Sequence, residues 1–266
     1  MNEQVLLEIN GAVATLTLNR PKALNALGLE MGRALLARAE ELQKAEGVRA
    51  VILAGAGEHF MAGGDIKEFN AILAEAPPAR DRAFRELIAG LINPAVEILR
   101  GLPAPVIGKV RGACAGFGFS LLAGCDLALA ADNAYFTSGY ALLGITPDGG
   151  GTWYLPRLVG MKKAMELTLL AERIGAAEAL SLGLVNRVVS AAELDEAVAA
   201  LAARLAAGPA LAHANAKRLL GRALGATLAD QLAEEAISFG QCSATGDFAE
   251  GVGAFIEKRK PAFKGG

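Results

Sequence analysis

The tightest constraint on this chain comes from two runs, Ala50-Val51-Ile52-Leu53, apolar at every position, and residues 105–110, apolar except at Lys109. Neither alternates in the manner of a half-exposed strand. Each therefore predicts a strand covered on both faces, as in a parallel sheet flanked by helices. A glycine-rich loop follows each run, and a helix pattern follows each loop. The loops are His59-Phe60-Met61-Ala62-Gly63-Gly64-Asp65-Ile66-Lys67-Glu68 and Val110-Arg111-Gly112-Ala113-Cys114-Ala115-Gly116-Phe117-Gly118-Phe119-Ser120. Ligands of α/β proteins bind at the ends of such strands. Small residues let the backbone approach a ligand closely. Free N–H groups at a helix start suit an oxygen that becomes negative.

The flanking sequence fills in an α/β pattern. Residues 5–9 and the alternating stretch around Val13, Thr15 and Thr17 predict a hairpin turning at Asn10-Gly11. Met31, Leu35, Ala39 and Leu42 recur at helical spacing over residues 27–46, with Gly47 placed to stop the helix. Two helical stretches broken at Pro77-Pro78 come next, and residues 127–130, 134–137 and 187–189 predict shorter strands. After Ser190 the pattern is helical, with breaks near Pro209 and Gly225. The expected fold class is α/β, with parallel pairings and a C-terminal helical section. No fixed-period repeat and no long linker divides the chain.

Composition excludes several function classes. With a formal net charge of −2 over 266 residues, nothing attracts nucleic acid or an anionic membrane in general. An anionic ligand has to be met by local Lys, Arg or N–H groups. No apolar run reaches the roughly 18 residues of a membrane helix. The start, Met1-Asn2-Glu3-Gln4, lacks the basic and apolar regions of a signal peptide, so a cytoplasmic location is the default expectation. Cys114, Cys125 and Cys242 have no metal spacing, and reduced, packed thiols are expected.

Motif absences narrow the chemistry further. The two histidines, His59 and His213, do not form H-E-x-x-H, and Gly118-Phe119-Ser120-Leu121-Leu122 lacks the second glycine of a nucleophile elbow. Gly116-x-Gly118 and Gly55-x-Gly57 are not completed by glycine at Leu121 or Phe60, so no dinucleotide fingerprint is present. No P-loop occurs. The expectation is no metal and no permanently bound cofactor.

Five segments, in order, carry a family resemblance: Leu18-Asn19-Arg20-Pro21-Lys22-Ala23-Leu24-Asn25-Ala26-Leu27, Ala62-Gly63-Gly64-Asp65-Ile66, Cys125-Asp126-Leu127-Ala128-Leu129-Ala130, Gly144-Ile145-Thr146-Pro147-Asp148-Gly149-Gly150-Gly151-Thr152 and Ala254-Phe255-Ile256-Glu257-Lys258-Arg259-Lys260. Nearly end to end, the chain resembles the crotonase (enoyl-CoA hydratase/isomerase) superfamily. The resemblance implies a crotonase-like spiral of ββα units over residues 1–195. A C-terminal helical trimerisation region over 196–266 and a homotrimer or homohexamer are implied with it. It also implies an acyl-CoA thioester as substrate, with coenzyme A entering as part of that substrate.

Carried over position by position, Gly64 and Phe117 supply the N–H donors of an oxyanion hole. Family members often have glycine at the second position. Phenylalanine there keeps the N–H and adds a ring able to narrow or redirect the pocket. Ala62, Asp65 and Ile66 match the loop that receives the adenine end of coenzyme A, and Lys67 is a candidate for its phosphates. Phe263 and Lys264 are candidates to reach a neighbouring subunit's ligand. A solvated lysine or a packed aromatic is the alternative for these last three.

The acid–base residues decide which reaction such a hole serves. Hydratases of the family use two glutamates. Their positions correspond here to Ser120 and Tyr140, neither of which is a carboxylate. Asp148 stands nearby in Thr146-Pro147-Asp148-Gly149-Gly150. It either holds that turn or caps the following helix, or acts as the base used by some isomerases of the family. Burial would raise its pKa towards a useful range. Residues 147–157 are especially similar to the isomerases of phenylacetate degradation. A dehalogenase branch uses a matching aspartate as nucleophile with a histidine and a tryptophan, but those positions hold Asn93 and Tyr140. The readings are thus an isomerase first, then a non-standard hydratase, an aryl-CoA dehalogenase, or a non-catalytic acyl-CoA binder.

Overall fold

The computed structural model describes residues 3–265, so Met1 and Asn2 of the acidic start lie outside the described residues. A hairpin opens the chain, β1 (Val5–Asn10) and β2 (Val13–Leu18), followed by helix α1 (Leu29–Lys44) and strand β3 (Ala50–Gly55). Next come β4 (Met61–Ala62), α2 (Ile66–Ile72), α3 (Pro77–Leu87) and α4 (Asn93–Gly101). A π-helical turn, Ile88–Ile92, joins α3 to α4. The central stretch holds β5 (Val106–Val110), β6 (Ala113–Ala115), α5 (Phe117–Ala123), β7 (Leu127–Ala131) and β8 (Tyr135–Thr137). After the 3-10 turn Tyr140–Leu143 come α6 (Gly151–Leu169), β9 (Ile174–Gly175), α7 (Ala176–Ser181) and β10 (Arg187–Val189). Four helices close the described chain: α8 (Leu194–Ala206), α9 (Ala210–Arg222), α10 (Leu228–Ser243) and α11 (Gly246–Ile256).

The larger sheet has the order β1-β2-β3-β5-β7-β10 and is parallel after its antiparallel first pair. Successive residues of a strand face opposite sides, which explains the continuous apolar runs. Ala50, Ile52, Ala54, Ile107, Leu129 and Ala131 pack against Leu194, Val198 and Ala202 of α8. Val51, Leu53, Val106, Val110, Ala128 and Ala130 face the other core, with Met31, Leu35, Ala39 and Leu42 of α1. The expected boundary between residues 195 and 196 falls inside α8, and this helix covers the sheet.

In the hairpin, Asn10 pairs with Val13 as the last rung, which moves the turn one residue onward to Gly11 and Ala12. The expected helix over 27–46 is shorter by two residues at each end. Leu27 instead bridges to Gly64. Pro77 begins a helix rather than interrupting one, as its fixed φ and missing N–H allow at a first turn. Sequence reading passed over β4, β6 and β9, which with β8 form a second sheet in the order β4-β6-β8-β9.

Two polar clusters tie these layers together. Asn25, fully buried and at φ 56°, places its side-chain amide within 3.0, 2.8 and 3.1 Å of the carbonyls of Ala56, His59 and Phe60. Its Oδ1 accepts the Arg20 N–H at 2.8 Å. Asp126 accepts from Arg100 and the Val106 N–H, both at 2.8 Å, and pairs with Lys217 of α9 at 2.7 Å. Cys114 is buried and Cys125 and Cys242 are half-buried, all as free thiols. Burial pushes the Cys125 thiol up to about 12. No single helix among the described residues is long and apolar enough to cross a membrane.

Asn25→Ala removes the partner of one buried carbonyl, two part-buried carbonyls and one part-buried N–H, so it should destabilise the protein by about 3 kcal/mol. Urea unfolding checks this, and a loss too small to resolve would contradict the staple role given to Asn25.

Candidate active site

The second sheet builds the site. Strand β4 runs parallel to β6 with Met61 opposite Cys114 and Ala62 opposite Ala115. Past the ends of these strands the two loops stay in close approach at Gly63 and Gly116, the residues that precede Gly64 and Phe117. Hydrogen bonds on either side hold these positions. The Ala62 N–H donates to Leu24, Leu27 donates to the Gly63 carbonyl at 2.7 Å, and Asp65 donates to the Leu27 carbonyl at 2.8 Å. On the other strand the Gly116 N–H donates to Thr137 at 3.1 Å. Neither the Gly64 nor the Phe117 N–H donates to a protein acceptor among the described residues.

Close approach explains the glycines at this seam. Gly116 takes φ 53° and ψ −124°, a conformation open essentially to glycine. A Cβ on it would lie 3.1 Å from the Gly63 Cα. At Gly64 a Cβ would stand 2.4 Å from the Phe69 ring, which packs edge-on to Phe84. The first turn of α5 leaves the Phe117 N–H without an intrahelical acceptor and lends it the positive end of the helix. Two free N–H groups that meet at one carbonyl oxygen can hold it as it gains negative charge.

The Phe117 ring does not line this opening. It is 2% exposed and packs under the turn that carries Asp148: a Cβ on Gly149 would lie 2.6 Å from it. Gly151 is equally close to the neighbouring side chain, with a Cβ there 2.4 Å from Ser120 Oγ. The 148–151 turn therefore rests directly on α5.

Asp148 is half-buried, and Tyr140 donates to its Oδ1 at 2.5 Å. Ser120 Oγ lies 3.2 Å from the Tyr140 hydroxyl. Burial pushes the Asp148 carboxyl above the usual carboxylate range, and the Tyr140 hydrogen bond pulls part of that back. The Tyr140 phenol is pushed upward by burial and by the Asp148 charge, so it stays an O–H donor. Asp148 does not cap α6, whose start at Gly150 has no side-chain cap. Asn93 is exposed and makes no hydrogen bond to Asp148. His59 Nδ1 accepts from the Ala113 N–H at 3.0 Å, which is a structural use.

The residues expected to meet coenzyme A are distributed differently. Ala62 ends β4, and Ile66 and Lys67 are exposed at the start of α2. Asp65 is buried. Its Oδ1 caps α2 through the N–H groups of Lys67 and Glu68, and its Oδ2 pairs with Arg20 at 2.8 Å. Both carboxylate oxygens thus hold the loop. Arg20 and Asn25, which were not among the expected site residues, are its organisers; the signal for both was the segment over residues 18–27. Phe263 packs against Gly251 in an apolar cleft of about 400 Å³ with Pro209, Phe248 and Phe255. The Lys264 N–H donates to Asp247 at 2.7 Å, and its carbonyl accepts from Arg49. Neither joins the Gly64–Phe117 cluster within this chain. Among the described residues no group of three His, Cys, Asp or Glu side chains could hold a metal ion.

Comparison with known proteins bears on the same residues. The sequence matches the family model described as enoyl-CoA hydratase/isomerase over residues 8–266. It is 39% identical over 258 residues to the short-chain-enoyl-CoA hydratase of Clostridium acetobutylicum, covering 96% of this chain and 95% of that one. It is 36% identical over 265 residues to the 1,2-epoxyphenylacetyl-CoA isomerase of Escherichia coli (strain K12), covering 100% of both. The crystal structure of an enoyl-CoA hydratase from Polaromonas sp. JS666 superposes with a TM-score of 0.89 at 36% identity, over 98% of this chain and 99% of that one.

The seat of the Asp148 turn can be tested without any substrate. Gly149 has φ 56°, so alanine there adds backbone strain to a steric clash, for an expected loss of about 2–3 kcal/mol. Urea unfolding should show a smaller Gly149→Ala penalty in a Phe117→Leu background, because the ring supplies the clash. Equal penalties in both backgrounds would contradict that contact.

Proposed function

The chain belongs to the enoyl-CoA hydratase/isomerase family of the crotonase superfamily, and from that premise we propose that it is an acyl-CoA isomerase with Asp148 as its proton carrier. As a member of that family it acts on acyl-CoA thioesters. The observation that carries the finer reading is the half-buried Asp148 carboxylate, held at 2.5 Å by Tyr140 on a turn that packs against the Phe117 ring. The hydratases of the family that this chain resembles place two glutamates where Ser120 and Tyr140 stand.

In the proposed reaction the thioester oxygen accepts from the Gly64 and Phe117 N–H groups. Asp148 removes a proton from the α carbon of a 3-enoyl thioester, and the electron pair spreads into a dienolate. The negative charge rests on the oxygen between the two N–H groups, where fixed donors cost no reorganisation. Asp148 then returns the proton to the γ carbon, giving the 2-enoyl thioester. One carboxylate suffices because it serves first as base and then as acid. Its raised pKa suits both roles. Hydration would additionally require a base for water and a donor for the carbon, and a neutral serine and tyrosine do not supply that pair. The same carboxylate and hole suit rearrangement of a ring-epoxide thioester.

Exposed apolar side chains on α10 and α11, including Leu228, Phe239, Phe255 and Ile256, support assembly as a homotrimer or homohexamer. Light scattering should give a mass of three or six chains, and a monomer at micromolar concentration would refute this assignment.

Asp148→Asn should lower isomerisation of trans-3-hexenoyl-CoA by roughly 10²–10⁴-fold. Its affinity for the thioester should change little. Wild-type protein should hydrate trans-2-hexenoyl-CoA poorly. Robust hydration, or a near-normal isomerisation rate in Asp148→Asn, would sink the proposed reaction.

A further inference from the structure

We propose that Tyr140, itself held by Ser120, is a positioning residue that occupies Oδ1 of Asp148, so that Oδ2 alone takes the substrate proton and returns it. The inference rests on the reading of Asp148 as proton carrier and adds which oxygen does the work and why. Ser120 is 3% exposed and Tyr140 7%, so water does not compete for their hydroxyls. The Tyr140 Oη lies 2.5 Å from Oδ1 and 3.2 Å from Ser120 Oγ. An ionised carboxylate only accepts, so the phenol must donate to it. The phenol oxygen's remaining lone pairs then accept the Ser120 O–H. This fixes the direction of both hydrogen bonds.

Oδ2 accepts no side-chain hydrogen bond among the described residues. A proton arriving on Oδ1 would turn the strong acceptor that Tyr140 binds into a hydroxyl oxygen, a weaker acceptor, and so set the proton against that hydrogen bond. On Oδ2 it meets no such conflict, and the Ser120–Tyr140–Oδ1 chain stays as it was. The balance of the step is simple. The α C–H bond breaks and leaves its electron pair in the dienolate. An O–H bond forms at Oδ2, then breaks as the γ C–H bond forms, while Tyr140 keeps its own proton throughout. One oxygen on one side of the chain therefore serves both carbons. The transfer stays on one face, and the proton has little chance to exchange with water.

The test uses full-length protein and the Tyr140→Phe variant, which preserves the ring. The first readout is carboxyl ¹³C NMR of unliganded protein, with the Asp148 resonance assigned through Asp148→Asn. In Tyr140→Phe the Asp148 pKa should rise, because the ionised form loses its donor. The second readout is trans-3-hexenoyl-CoA deuterated at the α carbon and turned over in ordinary water. Wild type should deliver the label to the γ carbon, whereas Tyr140→Phe should deliver less of it and turn over about 10-fold more slowly, the value of one charge-assisted hydrogen bond. Ser120→Ala should shift both readouts in the same direction by less, and guards against misfolding of the first variant. An unchanged Asp148 pKa, or unchanged label delivery, in a folded Tyr140→Phe overturns the proposal. Full activity in Asp148→Asn would instead defeat the proton-carrier reading, and the NMR readout distinguishes the two failures.

Discussion

The pairing of β4 with β6 is the contact on which the site depends. It is only two rungs long, Met61 with Cys114 and Ala62 with Ala115. Yet it fixes the position of two loops that are more than fifty residues apart in sequence. A slip of one residue would break the close approach of Gly63 and Gly116 and turn side chains to the wrong face. So short a ladder cannot hold its register unaided. Leu27 bonded on both sides of Gly64, Asp65 capping α2 while paired with Arg20, and Asn25 bridging to the 56–60 turn all brace it from one side. On the other side β8 supports β6 through three paired residues.

The proposed acid–base group, Asp148, is tied to the same seam through packing. Phe117 contributes a backbone N–H to the proposed hole, while its ring supports the turn that carries Asp148. One residue thus links the proposed polarising N–H to the turn that carries the proposed proton carrier. Gly149 and Gly151 let the turn settle on Phe117 and Ser120, where any side chain would lift it. Burial then has a chemical consequence. It raises the Asp148 carboxyl, while Tyr140 keeps that carboxyl oriented and limits the rise.

Much of the fold was legible from periodicity. The buried runs, the helix over Met31 to Leu42 and the breaks near Pro209 and Gly225 each follow from local patterns that burial or chain geometry imposes. Strands β4, β6 and β9 were not legible, because two or three residues carry no period and little propensity. The roles of Arg20 and Asn25 were also hidden. Their long-range partners, Asp65 and the 56–60 turn, lie 31 to 45 residues away, and only the folded chain brings them together. Asp65 belongs to the loop expected to receive the adenine end of coenzyme A, and its capping and ion pairing, which frame that loop, were not legible in the sequence.

By itself, the sequence determined the α/β class, the glycine seams and the chemical inventory: two candidate N–H donors, one aspartate, and no carboxylate at Ser120 or Tyr140. These depend on residue type and local spacing, which a linear chain displays directly. Only the tertiary structure decided that the Phe117 ring turns under the Asp148 turn instead of into the opening. It also decided that Tyr140 binds one chosen oxygen of that carboxylate. Side-chain direction and hydrogen-bond pairing depend on distant backbone held within a few tenths of an ångström, and no local pattern encodes such a distance.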